Sequence, residues 1–285
     1  MLVNLFRLLS HLPLRLLHLS GAALGWVVYA ASPSYRRRLN DNLERAGYSH
    51  LRRRAIAAAG KSVMELPFVW LAPARRVLPV AHIESLALPR AALAEGRGLI
   101  FLTPHLGCFE ILAQAVSEHI PLTVLYRPPR KAALKPLLEQ ARARPAMRLA
   151  PANLSGVRML MKALKGGQAI GLLPDQVPQQ GEGAWAGFYG RPAYTMTLPA
   201  KLRQMSGAPI ILAYAERLEH GRGFELRFVR FEEDLAGTPE EQARSINAAM
   251  EKLIALCPDQ YFWSYNRYKT PPGVAAPTPA PEAVA

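Results

Sequence analysis

His105 and Glu110 stand five positions apart in FLTPHLGCFE (101–110), just where an apolar run breaks at Pro104. An imidazole and a carboxylate make an elementary proton-transfer pair. The carboxylate accepts from one ring nitrogen, fixes the tautomer, and stabilises the imidazolium formed when the other nitrogen takes a proton. No serine accompanies the pair, so the proton would come from a substrate hydroxyl or amine. On one continuous helix the two side chains would diverge by about 140°. A bend is required, and Pro104 and Gly107 supply one. The same residues also fit a structural histidine at a helix start, with a glutamate favoured there by the helix dipole. Helical zinc pairs use i, i+4 spacing, and no third His, Cys or Asp lies nearby, so no metal is expected. Cys108 opens a covalent thioester route if its thiol is acidified by His105 and the helix start, against the commoner fate of a small buried thiol.

Two further stretches carry charge in a similar setting. YRPPRK (126–131) follows an apolar strand and offers Arg127, Arg130 and Lys131, forked and point donors suited to phosphate. LLPDQ (172–176) again ends an apolar strand in proline and then an acid, Asp175. In a parallel sheet these strand ends lie along one edge, the usual address of a ligand site.

The elements that must position them are legible as apolar runs. GLIFLT (98–103) is continuous, short and β-rich, as in a strand buried on both faces. Further strands are expected at Leu122–Tyr126, Ala169–Leu173, Pro209–Glu216 and Phe224–Phe231, with helices near 108–118, 132–144, 155–166, 196–206 and 239–256. FELRFVRF (224–231) alternates and is expected near a sheet edge. The alternation of strand and helix predicts an α/β fold, a mostly parallel sheet flanked by helices on both faces. Residues 39–72 read as one or two amphipathic helices leading into it.

The chain has 285 residues, half of them hydrophobic, enough for one large core. Its 35 Lys+Arg against 21 Asp+Glu give a formal charge of +14 and point to an anionic partner. Nucleic acid is disfavoured because the arginines are scattered through amphipathic helices and no nucleic-acid module is recognisable. Two distant cysteines argue against a disulfide framework and for a reducing compartment.

Leu12 to Ala31 is apolar apart from Arg15 and His18 and ends with Trp26 and Tyr29, like an interfacial belt. The stretch after Arg15 makes about 24 Å of helix against a hydrocarbon core of about 30 Å. The segment therefore either spans, with Arg15 snorkelling, or lies in one leaflet. A cleaved signal peptide and a buried first helix of a soluble domain are the other readings. Arg36, Arg37 and Arg38 follow at once, which places the downstream chain on the cytoplasmic side and favours anionic lipid.

Together PHLGCFE, YRPPRK, LSGVRMLMKALKGGQAIGLLPDQ and WSYNRYK (263–269), in that order, resemble the late acyltransferases of lipid A biosynthesis, within the wider glycerolipid and lysophospholipid acyltransferase superfamily. The likeness runs from the N-terminal segment to residue 269. It implies His105 as general base, Glu110 as its partner, and substrate-binding roles for Arg127, Arg130, Arg142 and Asp175. Glutamate rather than aspartate after the histidine favours the lipid A branch over the glycerolipid one. The resemblance further implies an acyl-acyl carrier protein donor, an anionic lipid A precursor as acceptor, no cofactor, and a place on the cytoplasmic face of the bacterial inner membrane. Domains follow: an anchor with its basic flank at 1–38, an acyltransferase domain at 39–270, and a Pro/Ala-rich disordered tail at 271–285. Acyl transfer to a lysophospholipid or an aminolipid is the nearest alternative activity, and a non-catalytic membrane or nucleic-acid binding protein the remotest.

Overall fold

The computed structural model describes residues 2–127 and 145–277. The N-terminal part is helical: α1 (Leu2–Ser10), α2 (Leu14–Ala31), α3 (Pro33–Arg45), α4 (Arg52–Met64), α5 (Leu66–Leu71) and α6 (Ala74–Val77). Strand and helix then alternate: β1 (Ala81–Ile83), α7 (Ala87–Ala94), β2 (Leu99–Leu102), α8 (Phe109–Ser117), β3 (Leu122–Tyr126), β4 (Met147–Pro151), α9 (Leu154–Lys165) and β5 (Ala169–Leu172). A hairpin of β6 (Gly183–Phe188) and β7 (Arg191–Met196) follows, then α10 (Leu198–Ser206), β8 (Ile210–Arg217), β9 (Phe224–Arg230) and α11 (Pro239–Ile254).

Seven strands form one sheet in the order β1-β9-β8-β2-β5-β3-β4. From β8 to β4 all neighbours pair in parallel; β9 is antiparallel to β8, and the three-residue β1 closes that edge parallel to β9. The fold is thus the α/β architecture that the sequence implies, with the 224–231 strand next to an edge.

Side chains alternate between two cores because successive strand residues face opposite sides. Ile100, Leu102, Ile170, Leu172 and Leu212 pack with residues of α3, α4, α9, α10 and α11 on one face. Leu99, Phe101, Ala169, Ile211 and Ala213 pack with α2, α5, α7 and α8 on the other. Both faces are covered, which is why these strands read as unbroken apolar runs rather than alternating ones.

The helix expected at 132–144 lies outside the described residues. The sequence reading did not expect α1, α6, β1, α7, β4 or the β6–β7 hairpin. The hairpin turns at Tyr189 and Gly190, both with positive φ (46° and 72°), the conformation of a tight two-residue turn. Helix α2 is long and apolar enough to cross a membrane by length and composition.

Candidate active site

Three adjacent strands, β2, β5 and β3, end at one edge of the sheet, and the chain leaving each carries a polar group. From β2 comes His105; from β5, Asp175 and Gln176; from β3, Arg127. His105, Glu110, Arg127 and Gln176 line one open cavity of about 290 Å³, whose other walls include Phe109, Ala113, Val124, Leu125 and Met196. The strand-edge convergence expected from the sequence is therefore present.

The imidazole is held on both nitrogens. Nδ1 lies 2.8 Å from Asp175 Oδ1, and the other oxygen of the same carboxylate accepts from the His105 backbone N–H at 2.9 Å. A carboxylate acceptor makes Nδ1 the protonated nitrogen and leaves the lone pair on Nε2. Gln176 Nε2 stands 3.0 Å from that lone pair, placed to donate to it. The Phe109 ring packs edge-on against the imidazole, centroids 4.6 Å apart. Burial by itself would raise the Asp175 carboxyl, but the facing His105, the two bonds from it and the Arg267 charge outweigh burial and hold it below the usual carboxylate range. It stays ionised and oriented.

The sequence expectation set Glu110 against the ring; the side chains hydrogen-bonded to the imidazole here are Asp175 and Gln176. Glu110 sits in the first turn of α8 and lines the same cavity, but its Oε2 accepts from the Trp70 indole at 3.1 Å. The acid that meets His105 arrives from β5, hydrogen-bonded to β2, so its side chain has only one strand spacing to cross. Asp175 is thus a ring partner, a role that had been expected of Glu110.

The loop from β2 to α8 is pinned by backbone bonds that side chains reinforce. Cys108 N donates to Ala215 O at 2.9 Å, Gly107 N to Gln260 O at 3.1 Å, and Phe262 N to His105 O at 3.1 Å. Arg217 Nη2 donates to Gly107 O at 3.3 Å. Gly107 has φ +58°, and a Cβ there would fall 1.9 Å from Ala215 O. No side chain fits without moving the loop that carries His105. Gly107→Ala is accordingly expected to lower turnover by about 10²-fold, the cost of misplacing a reacting group by about 1 Å. Circular dichroism should stay unchanged while kcat falls.

Residues 1–270 match the family described as bacterial lipid A biosynthesis acyltransferase. The chain belongs to that family. It is 28% identical over 217 residues to the lipid A biosynthesis palmitoleoyltransferase of Escherichia coli (strain K12), covering 75% of this chain and 69% of the relative. It is 26% identical over 219 residues to the lipid A biosynthesis lauroyltransferase of the same organism, covering 75% and 70%. A lipid A biosynthesis acyltransferase of Shigella flexneri matches at 28% over 217 residues, covering 75% and 69%.

For a lipid A acyltransferase family member, the remaining sequence candidates fall as follows. Arg127 lies just past β3, exposed at the cavity. Arg130, Lys131 and Arg142 lie outside the described residues. Cys108 is buried, and burial, with the Glu65 charge adding to it, pushes its thiol well above the ordinary range. It is a thiol and not a poised thiolate, so the acidification that a thioester route needs is missing.

The 263–269 signature is a clasp. Arg267, 2% exposed, donates to Tyr194 O, Thr195 Oγ1 and Asn247 Oδ1 at 2.8, 2.7 and 3.1 Å, tying the C-terminal segment to β7 and α11. Its charge also reaches Asp175. Gln176, Trp70, Glu65 and Arg217 carry site geometry that sequence reasoning missed. Gln176 had a signal, standing next to Asp175 at the same strand end. The other three act from 40 or more positions away from the residues they hold, and no local pattern marks them.

Proposed function

We propose that the protein transfers a fatty acyl chain from an acyl carrier protein thioester to a hydroxyl of a phosphorylated lipid A precursor of the Kdo-lipid IVA type. The observation that carries this is an imidazole whose Nδ1 is anchored on Asp175 while Nε2 faces a cavity lined largely by apolar residues, in a chain of the lipid A acyltransferase family.

The acceptor hydroxyl takes the place that the Gln176 amide holds against Nε2, and His105 removes its proton. The oxygen attacks the thioester carbonyl; a new C–O bond forms and the C–S bond breaks. The leaving thiolate takes the proton back from Nε2, so the carrier departs as its thiol and the protein is never acylated. Arg127, with Arg130 and Arg142 of the same segment, supplies positive charge for the acceptor phosphates and the developing oxyanion. Glu110, held by Trp70 at the cavity wall, serves as a second acid of the site and orients the acceptor. The apolar walls act as a ruler for chain length. The net +14 suits an acidic carrier and a phosphorylated acceptor alike, and the N-terminal helix keeps the site at the cytoplasmic face of the inner membrane.

The test is the purified protein with acyl carrier proteins of several chain lengths, offered a tetra-acylated lipid A precursor or a lysophospholipid, with products read by mass spectrometry. One added acyl group on the sugar lipid is expected. Acylation of the lysophospholipid alone would overturn the acceptor assignment. Cys108→Ala should retain transfer within about twofold, since a buried thiol of raised pKa takes no part; loss of activity together with a trapped acyl-enzyme in the wild type would contradict the uncovalent route.

A further inference from the structure

Helix α2 carries apolar residues on both sides, with Arg15 and Ser20 the exposed polar exceptions, yet only one side of it is covered. Leu14, Leu17, His18, Gly21 and Gly25 recur at helical spacing and are buried against the domain. Leu16, Leu19, Ala23, Trp26, Val27 and Ala30 lie on the opposite side and are exposed. A helix apolar on both sides belongs in a core or in lipid. Here one half has a core and the other half has none.

The covered half decides how the helix can meet a bilayer. Gly21 and Gly25 press on Gly60 and Ile56 so closely that a Cβ on Gly60 would fall 1.9 Å from Gly21 O, and one on Gly25 2.2 Å from Ile56 O. The contacts run antiparallel: His18 meets Glu65, Gly21 meets Lys61, and Gly25 meets Ile56. Near its start, Arg15 packs its backbone on Gly221, next to β8 and β9. Helix α2 is therefore fastened to the folded domain from its first turn to beyond its middle. If it crossed a membrane, Lys61 would be carried to about mid-depth, together with the flank of the sheet, where an ionised side chain is costly.

Helix α1 is fastened in the same way. Arg76 donates to the carbonyls of Ser10, His11 and Leu12, and Phe6 stacks on Trp70 with centroids 6.0 Å apart. Leu5 and Leu8 remain exposed beside them. Trp70 is the residue that donates to Glu110 at the cavity, so the uncovered apolar surface adjoins the active site. Residues 1–40 contain Arg7, Arg15, Arg36, Arg37 and Arg38 and no Asp or Glu.

We infer that α1 and α2 form a one-leaflet anchor: their exposed apolar faces enter the leaflet of an anionic bilayer that faces the domain, their arginines meet its phosphates, and neither helix crosses it. The alignment sets the mouth of the cavity at the membrane surface, where a lipid acceptor can move in sideways without leaving its leaflet. It also places the N-terminus and the catalytic domain on the same side of the membrane.

The experiment asks which side each part occupies. Single-cysteine reporters Asn4→Cys or His11→Cys, and Glu240→Cys on α11 for the domain, are placed at exposed positions in the full chain, and Cys108 and Cys257 stay buried. Spheroplasts and inverted inner-membrane vesicles are then treated with a membrane-impermeant maleimide. Both reporters are expected to label in inverted vesicles and to be protected in spheroplasts. Labelling of position 4 or 11 from spheroplasts, with position 240 protected, would show a crossing helix and overturn the inference. Purified wild-type chain should float with vesicles of phosphatidylcholine mixed with phosphatidylglycerol about tenfold more than with phosphatidylcholine alone at low salt. Failure to float with either would mean that the apolar face is not a lipid face. Equal flotation with both would remove the role given to the arginines.

Discussion

His105→Ala is expected to lower acyl transfer by about two to four orders of magnitude, the usual contribution of a positioned general base. Asp175→Asn should fall in the same range although Asp175, 3% exposed, lies behind the ring and outside the cavity lining. The carboxylate makes Nδ1 the protonated nitrogen; an amide in its place can present either an oxygen or an NH2 group, and the second turns the lone pair of the ring away from the cavity. In both variants the loss should appear in kcat, with KM for the acceptor little changed. Glu110→Gln gives the contrast. Its Oε2 accepts from the Trp70 indole at the cavity wall, so the loss should appear chiefly in KM for the acceptor. A collapse of kcat in Glu110→Gln with kcat retained in Asp175→Asn would reverse the assignment.

That pairing also marks where sequence reading succeeds and where it stops. The strands β2, β3, β5 and β8 were legible because burial on both faces leaves them mostly apolar, and the prolines after β2 and β5 mark their ends. Their charged neighbours could be assigned to one sheet edge on the assumption of parallel order, which the register bears out. What spacing could not give was strand order. His105 and Glu110 are near in the chain and so looked like partners, whereas β5 lies next to β2 in the sheet and brings Asp175 across 70 positions. The β6–β7 hairpin was opaque for another reason. GAWAGF and RPAYTM are built from small residues, proline and isolated aromatics, so neither the alternating burial of the first nor the buried run 193–195 of the second is written as an apolar pattern. The clasp made by Arg267 could be seen as a signature but not as a clasp, since its three acceptors lie on β7 and α11.

The buried pair Glu65–Arg217 should show the largest effect on stability, and its removal should reach the catalytic loop. Arg217 approaches Glu65 through two forked bonds of 2.6 Å, with the residues 5% and 1% exposed. The same Nη2 donates to Ser62 Oγ and to Gly107 O, and His18 of α2 reaches Glu65 Oε2 at 3.1 Å. One guanidinium thus joins the N-terminal helices to the turn that carries His105. Arg217→Met strands a buried carboxylate, and losses of about 3–5 kcal/mol are the rule when one member of such a pair is removed. In a chain of this size that corresponds to a fall in melting midpoint on the order of 10 °C. The double variant Glu65→Met with Arg217→Met should recover most of the loss, because apolar groups of similar volume replace buried ion pairs at little cost. Its kcat should nevertheless stay low, since Gly107 O has lost its donor and the loop its brace. Acid sharpens the comparison. Burial would raise the Glu65 carboxyl, but Arg217 and His18 outweigh it and hold the folded-state pKa below the unfolded value. The stabilisation is therefore present above the unfolded pKa and is lost as pH falls through the folded one, so the wild type should lose stability in acid more steeply than the double variant. Equal acid sensitivity of the two, or a double variant with full kcat, would show that the pair neither stores that stability nor positions the loop.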